Sequence, residues 1–210
     1  MAVKLAIDKD GILEKAEFTN ISGAVISNNV RGVGDREFCD YSKRTAVTIP
    51  DGVTKIGNGA FAGCDWLAAA EIPDSVTFIE DKAFYDCYSL EAVKIPKSVT
   101  SIGDDAFADC NSLAIVEILG NLTSIGDRAF AWCESLTGIK LPKSLTSIGE
   151  KAFYACSSLG SITIPDGVLN IGNEAFSYCG KDFTIRGSAG SYAELYATEK
   201  DIQYEEATST

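Results

Sequence analysis

Six cysteines, Cys64, Cys87, Cys110, Cys133, Cys156 and Cys179, recur every 23 residues, and only Cys39 is out of step. A thiol can attack a substrate, hold a metal or form a disulfide, but each role needs a second group. A nucleophile needs a base, and a zinc site needs clustered ligands. The sequence has no histidine and no CxxC pair. This excludes Ser-His-Asp and Cys-His catalysis, His-ligated metals and zinc-ribbon or thioredoxin-like chemistry. Disulfides between neighbouring rungs or a thiol nucleophile would lack a resolving partner or base nearby in sequence. The cysteines therefore read as a buried, reduced ladder of small apolar side chains.

A second periodic set is acidic: Asp35, Asn58, Asp81, Asp104, Asp127, Glu150 and Asn173. Its regularity suggests a calcium ladder. Calcium takes six to eight oxygens, and each rung supplies about one. Asp and Asn are also preferred helix N-caps, so capping explains these residues without metal. The turn at 8–11, DKDG, matches only the opening of an EF-hand loop. No metal or other cofactor is expected. Nothing resembles a phosphate loop, a nucleophile elbow or a paired-carboxylate pocket.

These columns must be positioned by a repeating element. Phe61, Phe84, Phe107, Phe130, Phe153 and Phe176 keep the 23-residue step, as do Ile56 to Ile171 and Leu67 to Leu159; Phe38 precedes the series. In the unit from Leu90 to Ser112, Val93 and Ile95 alternate around Lys94, as a short strand requires. Pro96 then ends the strand. Gly103 reads as a tight turn, and Asp104 as the N-cap of a short helical segment carrying Phe107 and Cys110 on one face. One unit cannot bury its apolar side alone; stacking buries a continuous column. Strands are expected at 46–50, 69–73, 92–96, 115–119, 138–142, 161–165 and 183–186. They form an α/β repeat solenoid about 30 Å long at the usual strand spacing: a concave parallel β-sheet, with short helical turns on the convex side.

The segments IPDGVTKIGNGAFAGC, IPDSVTFIEDKAFYDC, IPKSVTSIGDDAFADC, LPKSLTSIGEKAFYAC and IPDGVLNIGNEAFSYC resemble BspA-like leucine-rich repeats, over about residues 33–187. The departures are Glu80 for the turn glycine, Leu119 for the strand-ending proline, and Tyr41 for cysteine in the first unit. The expected organisation is a hairpin-like cap over 1–32, 23-residue leucine-rich repeats over 33–182, a strand–helix–strand cap over 183–205, and a disordered tail over 206–210. In the last cap Tyr192, Leu195 and Tyr196 share a helical face.

Repeat solenoids usually bind on the concave face. Its outward column reads Thr48, Glu71, Lys94, Glu117, Lys140, Thr163, beside a small-residue column in which Ile115 stands out. The alternating charges can pair along the column and fix register, or mark a partner of complementary pattern. Trp66, Tyr85, Tyr88, Trp132 and Tyr154 fall on the convex side or rim. They pack over the next turn, or form an aromatic strip for a protein or glycan.

Composition narrows the partners. A formal charge of −12, from 30 acids and 18 bases, argues against nucleic acid and anionic lipid. No apolar run reaches the length of a membrane span. The apolar stretch at the start is too short and too charged for a signal peptide, so either the protein is not exported by that route or the chain is a mature fragment with an added Met1. The resemblance implies a non-catalytic recognition module, adhesin-like, at the cell surface or secreted, binding host, matrix or cell-surface protein. Glycan is a further ligand class. The alternative is an intracellular protein-interaction scaffold, which the absent signal peptide and reduced cysteines favour and which would be cytoplasmic. A hydrolase using surface carboxylates ranks below both and requires a pocket of shifted acids.

Overall fold

The computed structural model describes residues 4–7, 9–17, 24–25, 30–34 and 46–207. Asp35, Phe38, Cys39 and Tyr41 lie outside them, as do residues 208–210. The chain winds as a solenoid of parallel ladders. On one wall, Ala24–Val25, Ala46–Thr48, Ala69–Glu71, Ala92–Ile95, Ile115–Ile118 and Gly138–Ile139 form a six-stranded sheet in chain order. Ser161–Thr163, Thr184–Gly187 and Gln203–Glu206 form a three-stranded continuation. The single bridge Lys140–Thr163 links the two. The register steps by one repeat, so Ala69, Ala92, Ile115 and Gly138 pair in line. Val93, Ile95 and Val116 are buried, and the residues between them face out. Where Leu119 replaces proline it keeps an N–H, which donates to Ile95 O at 3.0 Å.

A second ladder was not expected from the sequence. Lys55–Ile56, Phe78–Ile79, Ser101–Ile102, Ser124–Ile125, Ser147–Ile148 and Asn170–Ile171 pair in parallel. The ladder continues through Gly32–Val33 to the antiparallel hairpin Lys4–Ile7 and Ile12–Glu17. Each of the six repeat strands turns its isoleucine into the core. Threonine hydroxyls beside it stitch successive coils, as where Thr123 Oγ1 donates to Thr100 O at 2.9 Å.

The third wall corrects the expected convex helices. The segment from Asp104 to Cys110 and its counterparts are successive turns, and the helix Tyr192–Glu199 is the only one among the described residues. Asp105 and Asp109 have φ of 54° and 62°, which breaks a right-handed helix. Their N–H groups do not fold back along the chain. Asp105, Phe107 and Asp109 donate to Asp127 O, Ala129 O and Ala131 O of the next coil, at 2.8, 2.8 and 2.9 Å. Alternate N–H groups thus donate between coils, while those between them close turns, as Ala108 N–H to Asp105 O at 3.1 Å, and no helix forms.

Two sequence assignments change with it. The acidic column does not cap helices; Asp104 N–H donates to Asp81 Oδ1, Asp127 N–H to Asp104 Oδ1 and Glu150 N–H to Asp127 Oδ1, at 2.9, 2.7 and 2.7 Å. Gly103 does not make a tight turn but a close approach: a Cβ there would lie 2.6 Å from Asp81 N.

Between the walls, Phe61, Phe84, Phe107, Phe130, Phe153 and Phe176 stack with centroids 5.1–5.5 Å apart and planes within 10°. Phe183 closes this stack at 5.4 Å. The terminal helix packs through Ala193, Tyr196 and Ala197, with Tyr192 partly buried against the core; of the expected Tyr192–Leu195–Tyr196 face only Leu195 is exposed. Small alanines let the helix sit against Gly187, whose Cβ would lie 2.8 Å from Ala193 Cβ. Gln203–Glu206 is a strand, and Ala207 N–H donates to Gly187 O at 2.8 Å. The expected tail boundary at 206 therefore falls inside a hydrogen-bonded strand, where Tyr204 Oη also donates to Gly187 O.

Candidate functional site

The strand ladder sets the column expected on the concave face in line. Thr48 is in register with Glu71, Glu71 with Lys94, and Lys94 with Glu117. Glu71, Lys94, Glu117, Lys140 and Thr163 are all exposed. Of the expected charge pairings one forms, Lys94 Nζ to Glu117 Oε2 at 3.7 Å; Glu71 and Lys140 have no ion partner among the described residues. The column continues beyond its expected end. Thr163 pairs with Arg186, and Arg186 with Glu205. Arg186 Nε donates to Glu205 Oε2 at 2.8 Å and Nη1 to Ser161 Oγ at 3.4 Å. Beside this column Ile115 is 63% exposed. Its neighbour in register, Gly138, has open space where a side chain would be. Ile115 is thus an apolar knob beside a charged column.

The aromatic candidates divide. Trp66 is buried, and its Nε1–H meets no acceptor, so it leaves the surface strip. Tyr88 is exposed and makes no ring contact among the described residues. Tyr85 is half-buried, and the carboxylate of Asp109 together with burial raises its hydroxyl pKa. Trp132 and Tyr154 do come together, edge to face at 5.4 Å. Tyr178, not singled out from the sequence, extends them at 5.1 Å. Trp132 and Tyr178 occupy the same repeat position two units apart, which is the signal that could have found it. Lys151 Nζ lies 6.0 Å from the Tyr154 ring centroid and also contacts Glu150 and Glu174.

Charged groups on the turn wall serve the fold. Arg128 Nε and Nη2 clamp Asp105 Oδ1 and Oδ2 at 2.7 and 3.0 Å. Asp86 has a raised pKa through burial and the charges of Asp65 and Asp109, yet it stands exposed on the turn surface. Among the described residues no three His, Cys, Asp or Glu side chains converge on a metal-sized site.

The cysteines are thiols placed in the core, with Cys179 partly exposed. Each from Cys87 to Cys179 donates S–H to the carbonyl of the preceding coil's phenylalanine, as Cys110 to Phe84 O and Cys133 to Phe107 O, at 3.1 and 3.2 Å. Burial pushes the thiols of Cys110, Cys133 and Cys156 up, and that of Cys179 up to about 12. A thiol nucleophile needs the opposite shift. The sign of the pH dependence follows. The folded state holds these protons after unfolded thiols, near pKa 8.5, have lost theirs. Their stabilising contribution is complete below about pH 8.5 and falls as pH rises toward 12. Denaturation midpoints measured from pH 8 to 11 should decline, and the repeat thiols should react with a thiol reagent in denaturant without prior reduction. Near-zero thiols there, rising to about six after reduction, would instead establish disulfides.

Among the described residues no helix is long and apolar enough to cross a membrane. No curated protein matches the chain. Solved structures do. A leucine-rich repeat protein from Bacteroides ovatus is 27% identical, with a TM-score of 0.61 over 90% of this chain and 61% of that one. The chain therefore spans less than two thirds of that relative. The T. pallidum leucine-rich repeat protein is 28% identical, with a TM-score of 0.51 over 88% and 68% of the two chains. The pneumococcal vaccine antigen PcpA, 18% identical, shares the fold at a TM-score of 0.61 over 88% and 70%. The profile of the BspA type leucine-rich repeat region matches six copies, over residues 14–136 and 77–189. With that profile matched over most of its length, and with the repeat columns stacked as that pattern requires, the chain belongs to the BspA-type leucine-rich repeat family.

Proposed function

We propose that the chain is a non-catalytic recognition module that binds protein partners on its concave face, in an adhesin-like role at the cell surface or in secreted form. Leucine-rich repeat proteins generally mediate protein interactions, and the family resemblance supports the adhesin role. One observation carries the choice of face. The column from Glu71 to Glu205 is continuous and exposed, with Glu71 and Lys140 unpaired among the described residues and Ile115 projecting beside it. Unpaired charges around an exposed apolar residue suit a partner of complementary pattern, since charge steers association and the apolar contact holds it.

The test is affinity capture from host-tissue and own-cell extracts with the parent chain and a Lys94→Glu/Lys140→Glu variant. The fold should survive, because the Lys94–Glu117 pair is exposed and such pairs contribute only about 0.2–1 kcal/mol. Capture should drop roughly tenfold or more, as charge reversal at an interface does. The origin of the partner, with removal of the protein from intact cells by external protease, separates an adhesin from an intracellular scaffold. A second reading rests on Trp132, Tyr154 and Tyr178, whose rings form an exposed strip suited to a protein or glycan. Capture unchanged by the double variant but lost in Trp132→Ala/Tyr178→Ala would move recognition there.

A further inference from the structure

The turn wall is a directional ladder. At each of five junctions among the described residues, three N–H groups on alternate residues donate to carbonyls of the following coil. Lys151, Phe153 and Ala155 donate to Asn173 O, Ala175 O and Ser177 O, at 2.9, 2.8 and 2.8 Å, which is the last such junction. All these bonds point the same way, so their peptide dipoles add, and the positive end lies at the final turn. There the matching donors are the N–H groups of Glu174, Phe176 and Tyr178. No coil follows, and none of the three has an acceptor among the described residues.

The terminal cap covers Phe176 of this turn and leaves Tyr178 exposed. Phe183 and Tyr196 close over the Phe176 ring at 5.4 and 6.0 Å, and Tyr196 Oη donates to Gly172 O at 3.4 Å. Between the cap and the turn runs an open groove of about 630 Å³. One wall carries Glu174, Phe176 and Tyr178; the other carries Tyr196, Lys200 and Ile202.

We infer that this groove takes a segment of a partner polypeptide, which adds to the ladder through main-chain hydrogen bonds. The occupant is defined by the donors. At the five internal junctions the acceptors are carbonyls of alternate residues along the next coil's run of turns. The occupant is therefore a polypeptide whose main chain offers alternate carbonyls on one side, as in main-chain addition at an open edge. A small anion fits less well, because it cannot bridge donors set out along a line. The central residue of the segment must be small: in every other junction a phenylalanine lies over the preceding ring, but here Phe183 and Tyr196 already fill that place. This site is separate from the concave face, so neither proposal depends on the other.

The experiment uses the full chain, isotope-labelled for amide NMR, and the capped pentapeptide Thr-Val-Ala-Val-Thr. At saturation the Glu174, Phe176 and Tyr178 amides should shift downfield, and their hydrogen exchange should slow roughly tenfold or more, as newly donated amides do. Asp105, Phe107 and Asp109, already donated, should not change. The Phe-centred peptide should bind at least tenfold more weakly. Three unmoved amides at millimolar peptide would overturn the inference, as would shifts confined to the concave strands. Equal protection by inorganic phosphate would also overturn it, because the edge would then be an anion nest. Equal binding of the Phe-centred peptide would overturn the steric part.

Discussion

Replacing Phe107 with alanine should destabilise the chain by roughly 3–5 kcal/mol, the range for truncating a buried aromatic in a core that cannot collapse around it. Phe107 is fully buried, and its ring stacks 5.1 Å from Phe84 and 5.3 Å from Phe130, its plane nearly parallel to both. Truncation leaves a gap on two faces at once. The neighbours cannot close it, because their coils are fixed by three ladders of main-chain bonds. The change should also alter the form of unfolding. In a repeat array stability is nearly a sum of units and nearest-neighbour junctions. Removing a central ring weakens two adjacent junctions, so the two halves should begin to unfold separately. Equilibrium denaturation followed by Trp132 fluorescence in a Trp66→Phe background and by circular dichroism should give one midpoint for the parent and diverging midpoints for the variant. A loss below about 1 kcal/mol would mean that the stack does not carry the core.

That stack was legible in the sequence because a period of 23 leaves few ways to place Phe, Cys, Ile and Leu except in columns. The outward column of the strand wall was legible for a similar reason. Around Val93 and Ile95, Lys94 must point outward, and the same alternation sets Glu71, Glu117 and Lys140. What the period could not decide was the path between columns. Phe107 and Cys110, three residues apart, share a face in a helical turn and equally in the observed chain of turns. The difference lies in where the N–H groups go, which side-chain spacing does not record. One clue was present. In the segment IGNGAFAGC, Gly59 and Gly63 stand at the positions of Lys82 and Asp86, and all four have positive φ. Two glycines four apart mark left-handed residues, which a right-handed helix cannot contain. The second ladder was hidden differently, since strands of two residues have no alternation to detect.

The candidate sites show the same division. Arg186 follows Thr163 by one repeat and extends the column in register. Glu205 follows Arg186 by less than a repeat, so only the strand pairing in the cap brings it there. Trp66 looked like a surface aromatic because it follows Cys64 in a turn, but burial there is a tertiary property. Aromatic type alone could not separate it from Trp132, which is 43% exposed.

The close-approach glycines give the second large effect. Gly126→Ala should cost roughly 1–3 kcal/mol, the range for overpacking a tight interior. A Cβ at Gly126 would lie 2.6 Å from Asp104 Oδ1, 2.7 Å from Gly103 C and 2.8 Å from Asp104 N. Two of these are backbone atoms, which cannot rotate away, so the coils must part. Parting stretches the Gly126 N–H bond to Ile102 O, now 2.9 Å, and the Asp127 N–H bond to Asp104 Oδ1, now 2.7 Å. The array does accept a side chain at this position once, at Glu80, whose Oε1 pairs with Lys55 Nζ at 3.2 Å. The variant should therefore fold, with its loss concentrated at one junction. Gly138→Ala is the matched control, because nothing lies within 4 Å of its Cβ position. It should be neutral, or gain up to about 1 kcal/mol through reduced freedom of the unfolded chain. If both alanines cost the same by chemical denaturation, the effect would belong to glycine in general. If only Gly126→Ala destabilises, and exchange quickens at Asp127 before other amides, these glycines set the spacing on which every ladder depends.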